Sequence, residues 1–202
     1  MARTPGVVED RRDQIIDAAM LVFARKGFIR ATNKDIAREA GITSGLIYYY
    51  FESKEDLLKT IIETRSPAQL MTTLPPHVFE LPPEIFMRMV ILRALSIIET
   101  DQFIQLIRMI LPEVVHNTEL EQIILPMTRR LLEFLGKYFE GQMEKGALRR
   151  GDGVLTAQIM VGSVLIYVLR RHILHDPNSL EYSQEQIADA VSETVLQGIL
   201  PR

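Results

Sequence analysis

The stretch Thr32–Leu58 reads TNKDIAREAGITSGLIYYYFESKEDLL, and the fold is decided there. Ile36, Ala37 and Ala40 recur at helical spacing and predict a short helix. Thr32 stands where an N-cap belongs and Asp35 sits three residues on, the pattern of a capping box. Gly41 ends that helix, because a left-handed backbone costs glycine little. Ile42 is expected to plug the turn into the core. Thr43 then caps a second helix from Ser44 to about Tyr50, with Ile47 and Phe51 facing inward. Ser53–Asp56 reads as another capping box and opens the next helix. Two helices joined by a tight turn that contains glycine form a helix-turn-helix, whose second helix enters the DNA major groove.

Working outward, Ile15, Ile16, Ala19, Met20, Val22 and Phe23 mark an amphipathic helix over residues 10–26, stopped at Gly27. It should cover the helix-turn-helix pair and complete a three-helix unit, with residues 1–8 as an arm. Helix four, residues 54–65, buries Leu57, Leu58, Ile61 and Ile62. Residues 66–83 carry Pro67, Pro75, Pro76, Pro82 and Pro83, and are expected to be irregular or only briefly helical. The rest reads as helices: 83–100, 101–115, 118–145, 153–175, and a last one capped by Ser183–Gln186 and ended by Gly198. Thr118–Glu121 is a capping box, and Pro126 should kink the long helix or begin it afresh. The sum is an all-α chain of about nine helices with no convincing strand. Two domains are expected, 1–53 for DNA binding and 54–202 behind it, with helix 54–65 bridging.

Composition bounds the function. The chain has 202 residues, 47% of them hydrophobic and 24% charged, enough for a real core. It has no cysteine, which excludes disulfides and thiolate chemistry. The first residues lack the apolar run of a signal peptide. The most apolar run, Val154–Leu169, is 16 residues long and interrupted by Thr156, Gln158 and Ser163, too short and polar for a span. Net charge is −3, and residues 1–65 hold 11 Lys/Arg against 10 Asp/Glu. Charge alone would not suggest nucleic acid; the motif does.

The run DIAREAGITSGLIYYYFESKEDLL, extended back through Arg12–Phe28, resembles the N-terminal domain of TetR/AcrR-type transcriptional regulators. The Ile-Ala pair, Ala-Gly-Ile-Thr, the glycine, Ile-Tyr, the aromatic pair ending in Phe, and Ser-Lys-Glu-x-Leu all fit the family's pattern. Over the remaining two thirds the likeness is one of length and helical pattern.

The resemblance implies Ser44, Gly45 and Tyr49 as base readers and Tyr48 and Tyr50 as contacts to phosphate or sugar. Lys34 matches a position able to reach a base, and Lys54 a lysine on backbone phosphate. Independently of it, Thr32, Asn33, Lys34, Thr43 and Lys54 lie at helix N-termini, where amides and a cation favour anions. Arg11 and Arg12 are further cations near the start of the first helix. The recognition helix carries no Lys or Arg, so no bidentate guanine contact is evident.

Behind the head, Phe86, Met89, Arg93, Phe103, Ile107, Arg108, Met127, Leu131, Phe134 and Tyr138, together with Met109, could line a cavity for an apolar or amphipathic effector. Methionine and phenylalanine at helical spacing equally describe plain core, and the two arginines equally snorkel or pair. Helix 153–175 is apolar nearly all round and must be covered on two sides. Leu155, Ile159, Gly162, Ile166 and Leu169, with Ile187, Val191, Thr194 and Val195 of the last helix, could form a four-helix interface with a second copy, as in the family; a central core helix of a monomer is the plainer alternative.

No catalytic group, metal site or cofactor is expected. His172 and His175 are spaced to hold a metal, yet the dipole of a helix C-terminus explains them without one; His77 and His116 are isolated. The resemblance implies a cytoplasmic, homodimeric, ligand-responsive regulator, a repressor, on a pseudo-palindromic double-stranded operator. An architectural DNA-binding protein that recruits a partner through its C-terminal helices is the rival reading.

Overall fold

The computed structural model describes residues 5–114 and 118–199; the Met109 side chain and His116 lie outside what is described. Among the described residues the chain is helical, without strand: α1 Pro5–Lys26, α2 Asn33–Glu39, α3 Ser44–Tyr50, α4 Lys54–Arg65, the one-turn α5 Leu70–Thr73, α6 Pro83–Ile98, α7 Asp101–Val114, α8 Thr118–Glu144, α9 Gly153–Val168 and α10 Gln184–Ile199. Nine main helices and one short turn agree with the sequence. The proline-rich connection is brief helical turns, with 3-10 geometry at Pro67–Gln69 and Pro76–Glu80 flanking α5.

Several boundaries differ from expectation. α1 is already helical at Pro5, ahead of the start expected near residue 10. α8 runs through Pro126 without a fresh start, and Thr118 is itself helical rather than a cap. Gly146, with φ +75, stops the turn after α8 as expected. Gly198 lies inside α10, which continues to Ile199. After Val168 the helical run does not stop but widens into a π turn at Leu169–Ile173. His175, at φ 52, then reverses the chain where glycine would be usual.

The chain divides into two compact units, Met1–Ser66 with Thr100–Ile124, and Pro67–Glu99 with Leu125–Arg202. This departs from the division at residues 53 and 54. α4 falls wholly in the first unit, where Leu57, Leu58 and Ile61 are fully buried, and α7 joins it by packing on α1. In that unit Ile15, Ile16, Ala19, Phe23, Phe28, Ile36, Ile47 and Phe51 form the core, and Phe23 meets Phe28 edge to face at 5.2 Å.

In the second unit α6, α9 and α10 pack on one another. α10 turns Ala188, Ser192, Val195 and Leu196 inward, and α9 turns Ala157, Met160, Val164 and Val168. The helical run Gly153–Ile173 reaches 21 residues, because the π turn extends it past the 16-residue apolar stretch. By length and composition alone it could cross a membrane, although 39% of the window is buried in the protein. Core packing accounts for the apolar content of one side; the other side remains exposed.

Candidate nucleic-acid interface

The head is built from caps. Thr32 Oγ1 accepts from the Asp35 N–H at 3.2 Å, and the Asp35 carboxylate accepts from the Thr32 N–H at 3.2 Å, a complete capping box. The Asp35 carboxylate also takes Lys26 Nζ at 2.6 Å and Arg38 at 3.0 Å. Lys26 first and Thr32 second hold its pKa down at about 2. Gly41, at φ +64, lets the Ile42 N–H return to the Ala37 carbonyl at 2.9 Å. Ile42 itself is half-buried, so it closes the turn from the rim and not as a core plug.

Thr43 occupies the N-cap of α3, but its hydroxyl makes no cap bond, contrary to expectation. Ser53 Oγ accepts from the Asp56 N–H at 3.0 Å, while Asp56 takes the Glu52 N–H and not that of Ser53. The box expected there is therefore opened by one residue.

The ten expected DNA-facing residues all belong to the first unit, six of them exposed and four half-buried. Tyr48 and Tyr49 are 62% and 72% exposed, high for residues of this size. Tyr50 stands half-buried, edge-on to Tyr49 at 5.0 Å. Thr32, Lys34, Thr43 and Gly45 are exposed; Asn33 and Ser44 are half-buried. A Cβ built on Gly45 meets nothing within 4 Å, so no packing inside the head requires glycine there.

Most cations of the head are already engaged. Arg25 pairs with Glu39, and Arg65 with Asp13 and Asp17. Arg12 lies over the Phe51 ring at 5.2 Å, and Arg11 donates to Gln14 at 2.6 Å. Lys34 makes no hydrogen bond or ion pair among the described residues. Lys54 is half-buried, and its ammonium donates to the carbonyls of Phe28, Ile29 and Ala31.

The ten effector candidates fall in both units. Phe103, Ile107 and Arg108 lie on α7 in the first; the other seven belong to the second. There Phe86 stacks on Tyr138, centroids 3.5 Å apart and planes within 10°, and the Tyr138 hydroxyl donates to the Leu81 carbonyl at 2.8 Å. Burial pushes that hydroxyl's pKa well up. Phe134 meets Phe79 edge to face at 5.3 Å. Phe86 and Tyr138 thus spend their faces on each other as core. Phe103 and Met127 are buried, Met89, Ile107, Leu131 and Phe134 half-buried, and Arg93 and Arg108 exposed.

The interface candidates separate by side. Leu155, Ile159, Gly162 and Ile166 on α9 are exposed, with Leu169 half-buried behind them. Thr194 is exposed, and Ile187 and Val191 are half-buried, on the outer side of α10. Val195 does not belong with them: at 8% exposure it continues the inward stripe of Ala188, Ser192 and Leu196.

One polar cluster was not read from the sequence. Glu99, the C-cap of α6, takes Gln184 Nε2 at 2.6 Å and the Tyr167 hydroxyl at 3.4 Å, with Arg171 Nε at 3.4 Å and His172 Nε2 at 3.7 Å. Arg171 also donates to the Tyr167 hydroxyl and to the carbonyls of Ser179 and Tyr182. An acid at a helix C-terminus opposes the dipole, which was the one available sign that a cation must face it.

A capped helix, a glycine turn and an exposed tyrosine-bearing helix, braced by α1 and α4, make a helix-turn-helix head. Comparisons agree with that class. Residues 15–61 match the model of bacterial regulatory proteins, tetR family, and residues 86–197 match that of the AefR-like transcriptional repressor, C-terminal domain. The head is 45% identical over 64 residues to the HTH-type transcriptional regulator HbdR of Aromatoleum sp. (strain CIB), a match spanning 30% of this chain and 28% of that protein. The fatty acid metabolism regulator protein of Bacillus subtilis (strain 168) is 25% identical over 187 residues, covering 92% of this chain and 94% of its own. The crystal structure of FadR from Bacillus subtilis in complex with stearoyl-CoA superposes with a TM-score of 0.74 at 26% identity, covering 92% and 97% of the two chains. The chain belongs to the TetR family of bacterial regulatory proteins.

Proposed function

We propose that this protein is a ligand-responsive transcriptional repressor that binds a pseudo-palindromic DNA operator as a homodimer in the cytoplasm. The observation that carries the DNA reading is the exposure of Tyr48 and Tyr49 on a helix whose other side, at Ile47, is buried. Two adjacent exposed tyrosines, each an apolar ring with a polar tip, offer a surface suited to a partner that is part apolar and part polar. Backbone and short hydroxyls at Thr43, Ser44 and Gly45 sit at the same end, where base edges and phosphates approach a helix N-terminus. The match of residues 86–197 to a repressor's C-terminal domain supports repression.

The exposed apolar residues of α9, flanked by the outer side of α10, support a two-fold interface with a second copy. Two heads per dimer would select a pseudo-palindrome. The effector is apolar or amphipathic. Relatives named for fatty acid metabolism, one solved with stearoyl-CoA, make long-chain acyl thioesters the first class to test. Such a ligand acts by its differential affinity for two head spacings, with α4, the last helix before the chain leaves the head, carrying the change.

Fluorescence anisotropy on the upstream intergenic DNA against scrambled DNA, with and without stearoyl-CoA, tests the whole reading. Preference for the upstream DNA by about a thousandfold, released by ligand, supports it. Equal binding to both DNAs in every condition points to the architectural role instead.

A further inference from the structure

Along α9, Leu155, Ile159, Gly162, Ile166 and Leu169 step by four, three, four and three residues, the repeat of one helical side. The next α-helical step would fall on Ile173. Leu169–Ile173 is instead a π turn, and the Leu174 N–H donates to the Leu169 carbonyl, five residues back, at 2.9 Å. A π turn takes up one residue more than an α turn, so Leu174 inherits the place of Ile173 on that side. Exposure agrees: Ile173 is half-buried and Leu174 is 69% exposed.

The connector beyond is fastened to this turn. Arg170 grips the Asp176 carboxylate through Nε at 2.9 Å and a terminal nitrogen at 2.6 Å. The Asp176 N–H donates in return to the Arg170 carbonyl at 2.9 Å. Arg171 donates to the carbonyls of Ser179 and Tyr182 at 3.1 and 3.0 Å, and Leu180 lies between those anchors. Leu180 and Tyr182 are nevertheless 64% and 48% exposed. Apolar side chains held out on a braced segment lose little further freedom on meeting a partner, which favours docking. Both arginines of the turn are paired, Arg170 with Asp176 and Arg171 with Glu99, so neither is free to recruit a nucleic acid.

We propose that Leu174, Leu180 and Tyr182 extend the homodimer interface, each copy laying this connector on the other. This rests on the two-fold reading of α9 and α10. Four large apolar side chains stand exposed on α9, namely Leu155, Ile159, Leu165 and Ile166. Each partner of a standard interface contributes about 20–30 residues. A dimer held on this side must therefore reach beyond the helix, and the connector is where exposed apolar surface continues from it. A second copy is the occupant that such continuity selects, because a two-fold interface is built from one patch used twice.

The test is sedimentation of the full-length protein across a dilution series, with Leu174→Gln, Leu180→Gln and, as a control on the first unit, Leu21→Gln. All three side chains are exposed, so the protomer fold should hold, which circular dichroism checks. Leu174→Gln and Leu180→Gln should each raise the dimer dissociation constant about tenfold or more, and Leu21→Gln should leave it unchanged. The chain has no cysteine, so Leu180→Cys supplies a single thiol. That thiol should react with an aromatic disulfide reagent about tenfold or more slowly in the dimer than in the diluted monomer. A thiol equally reactive in both, or wild-type dimer affinity in both glutamine variants, overturns the proposal while leaving the α9 interface standing. A wild type that sediments as a monomer at every concentration removes the two-fold reading itself, and the proposal with it.

Discussion

The carbonyl oxygen of Gly136 lies 2.5 Å from where a Cβ on Gly153 would stand, and a Cβ on Gly136 would lie 2.9 Å from the Val154 side chain. α8 and the first turn of α9 therefore touch backbone to backbone, a separation only hydrogen allows. Gly153→Ala must push the start of α9 away, and overpacking of this kind costs about 1–3 kcal/mol. Urea unfolding should show the loss for Gly153→Ala and Gly136→Ala alike. Wild-type midpoints in both would mean that the two helices part freely.

Gly162, by contrast, has nothing within 4 Å of a built Cβ, and Ile159 and Ile166, one helical step to either side of it, are exposed. Within the protomer Gly162→Ala should even favour the helix, by about 0.5–1 kcal/mol. If this side meets a second copy, adding charge or bulk there must act on assembly alone. Ile159→Lys and Gly162→Leu should sediment as folded monomers at concentrations where the wild type is a dimer. Dimers of wild-type affinity in both variants would move the interface elsewhere.

Asp35 gives the head a defined acid response. Its carboxylate is held at about 2, against an ordinary value of 3.8, by Lys26 first and Thr32 next. A depressed folded pKa contributes stability that is complete above the unfolded value and lost as pH falls through the folded one. The window is therefore between about pH 4 and pH 2. Asp35→Asn should unfold at lower urea than wild type at pH 7, with the gap between them closing across that window. Since other acids titrate in both proteins, the difference isolates Asp35. A gap that stays constant down to pH 2 contradicts the linkage.

What the sequence made legible was local chemistry. Thr32 and Asp35, Gly41, and Ser183 with Gln186 are caps and turns whose partners sit within a few residues, so the pattern and the bond are almost the same object. The sidedness of α10 was not legible. Val191 and Val195 are one turn apart and equally apolar, and only the packing of α6 and α9 decides that Val195 turns inward. The intramolecular contacts of Lys54 were illegible for a related reason: their carbonyl partners lie 23 to 26 residues earlier in the chain. For Phe86 and Tyr138 pocket wall and plain core both stayed open, because an aromatic at helical spacing reads the same whether it faces a ligand or another ring.

Tyr49 is the residue on which sequence preference should turn. Its ring is 72% exposed and, among the described residues, its one ring contact is the T-shaped pair with Tyr50, so truncation should leave the fold intact. Tyr49→Ala should shrink the ratio of operator to scrambled-DNA affinity by about 1–3 kcal/mol, the range for a lost base contact. Its melting temperature should stay at the wild-type value. An unchanged ratio with uniformly weaker binding would place Tyr49 on the sugar-phosphate backbone.

Glu99 is the last residue of the second unit before the chain enters the first at Thr100, and its side chain is 19% exposed. It answers three segments at once: Tyr167 on α9, Arg171 and His172 in the π turn, and Gln184 on α10. Burial first, then the Glu99 charge, raises the pKa of the Tyr167 hydroxyl. Neutralising the carboxylate leaves Arg171 bonded to carbonyls and a hydroxyl but without its counter-charge. Glu99→Gln should therefore cost about 1.5–3 kcal/mol, the range for hydrogen bonds to a charged group. Arg171→Lys should lose a similar amount, since an ammonium cannot span Glu99, Tyr167 and two carbonyls as a guanidinium does. Double-mutant unfolding decides between a network and separate pairs: if the two losses simply add, Glu99 and Arg171 act independently, and a double variant little worse than either single shows that they stabilise the end of α6 together.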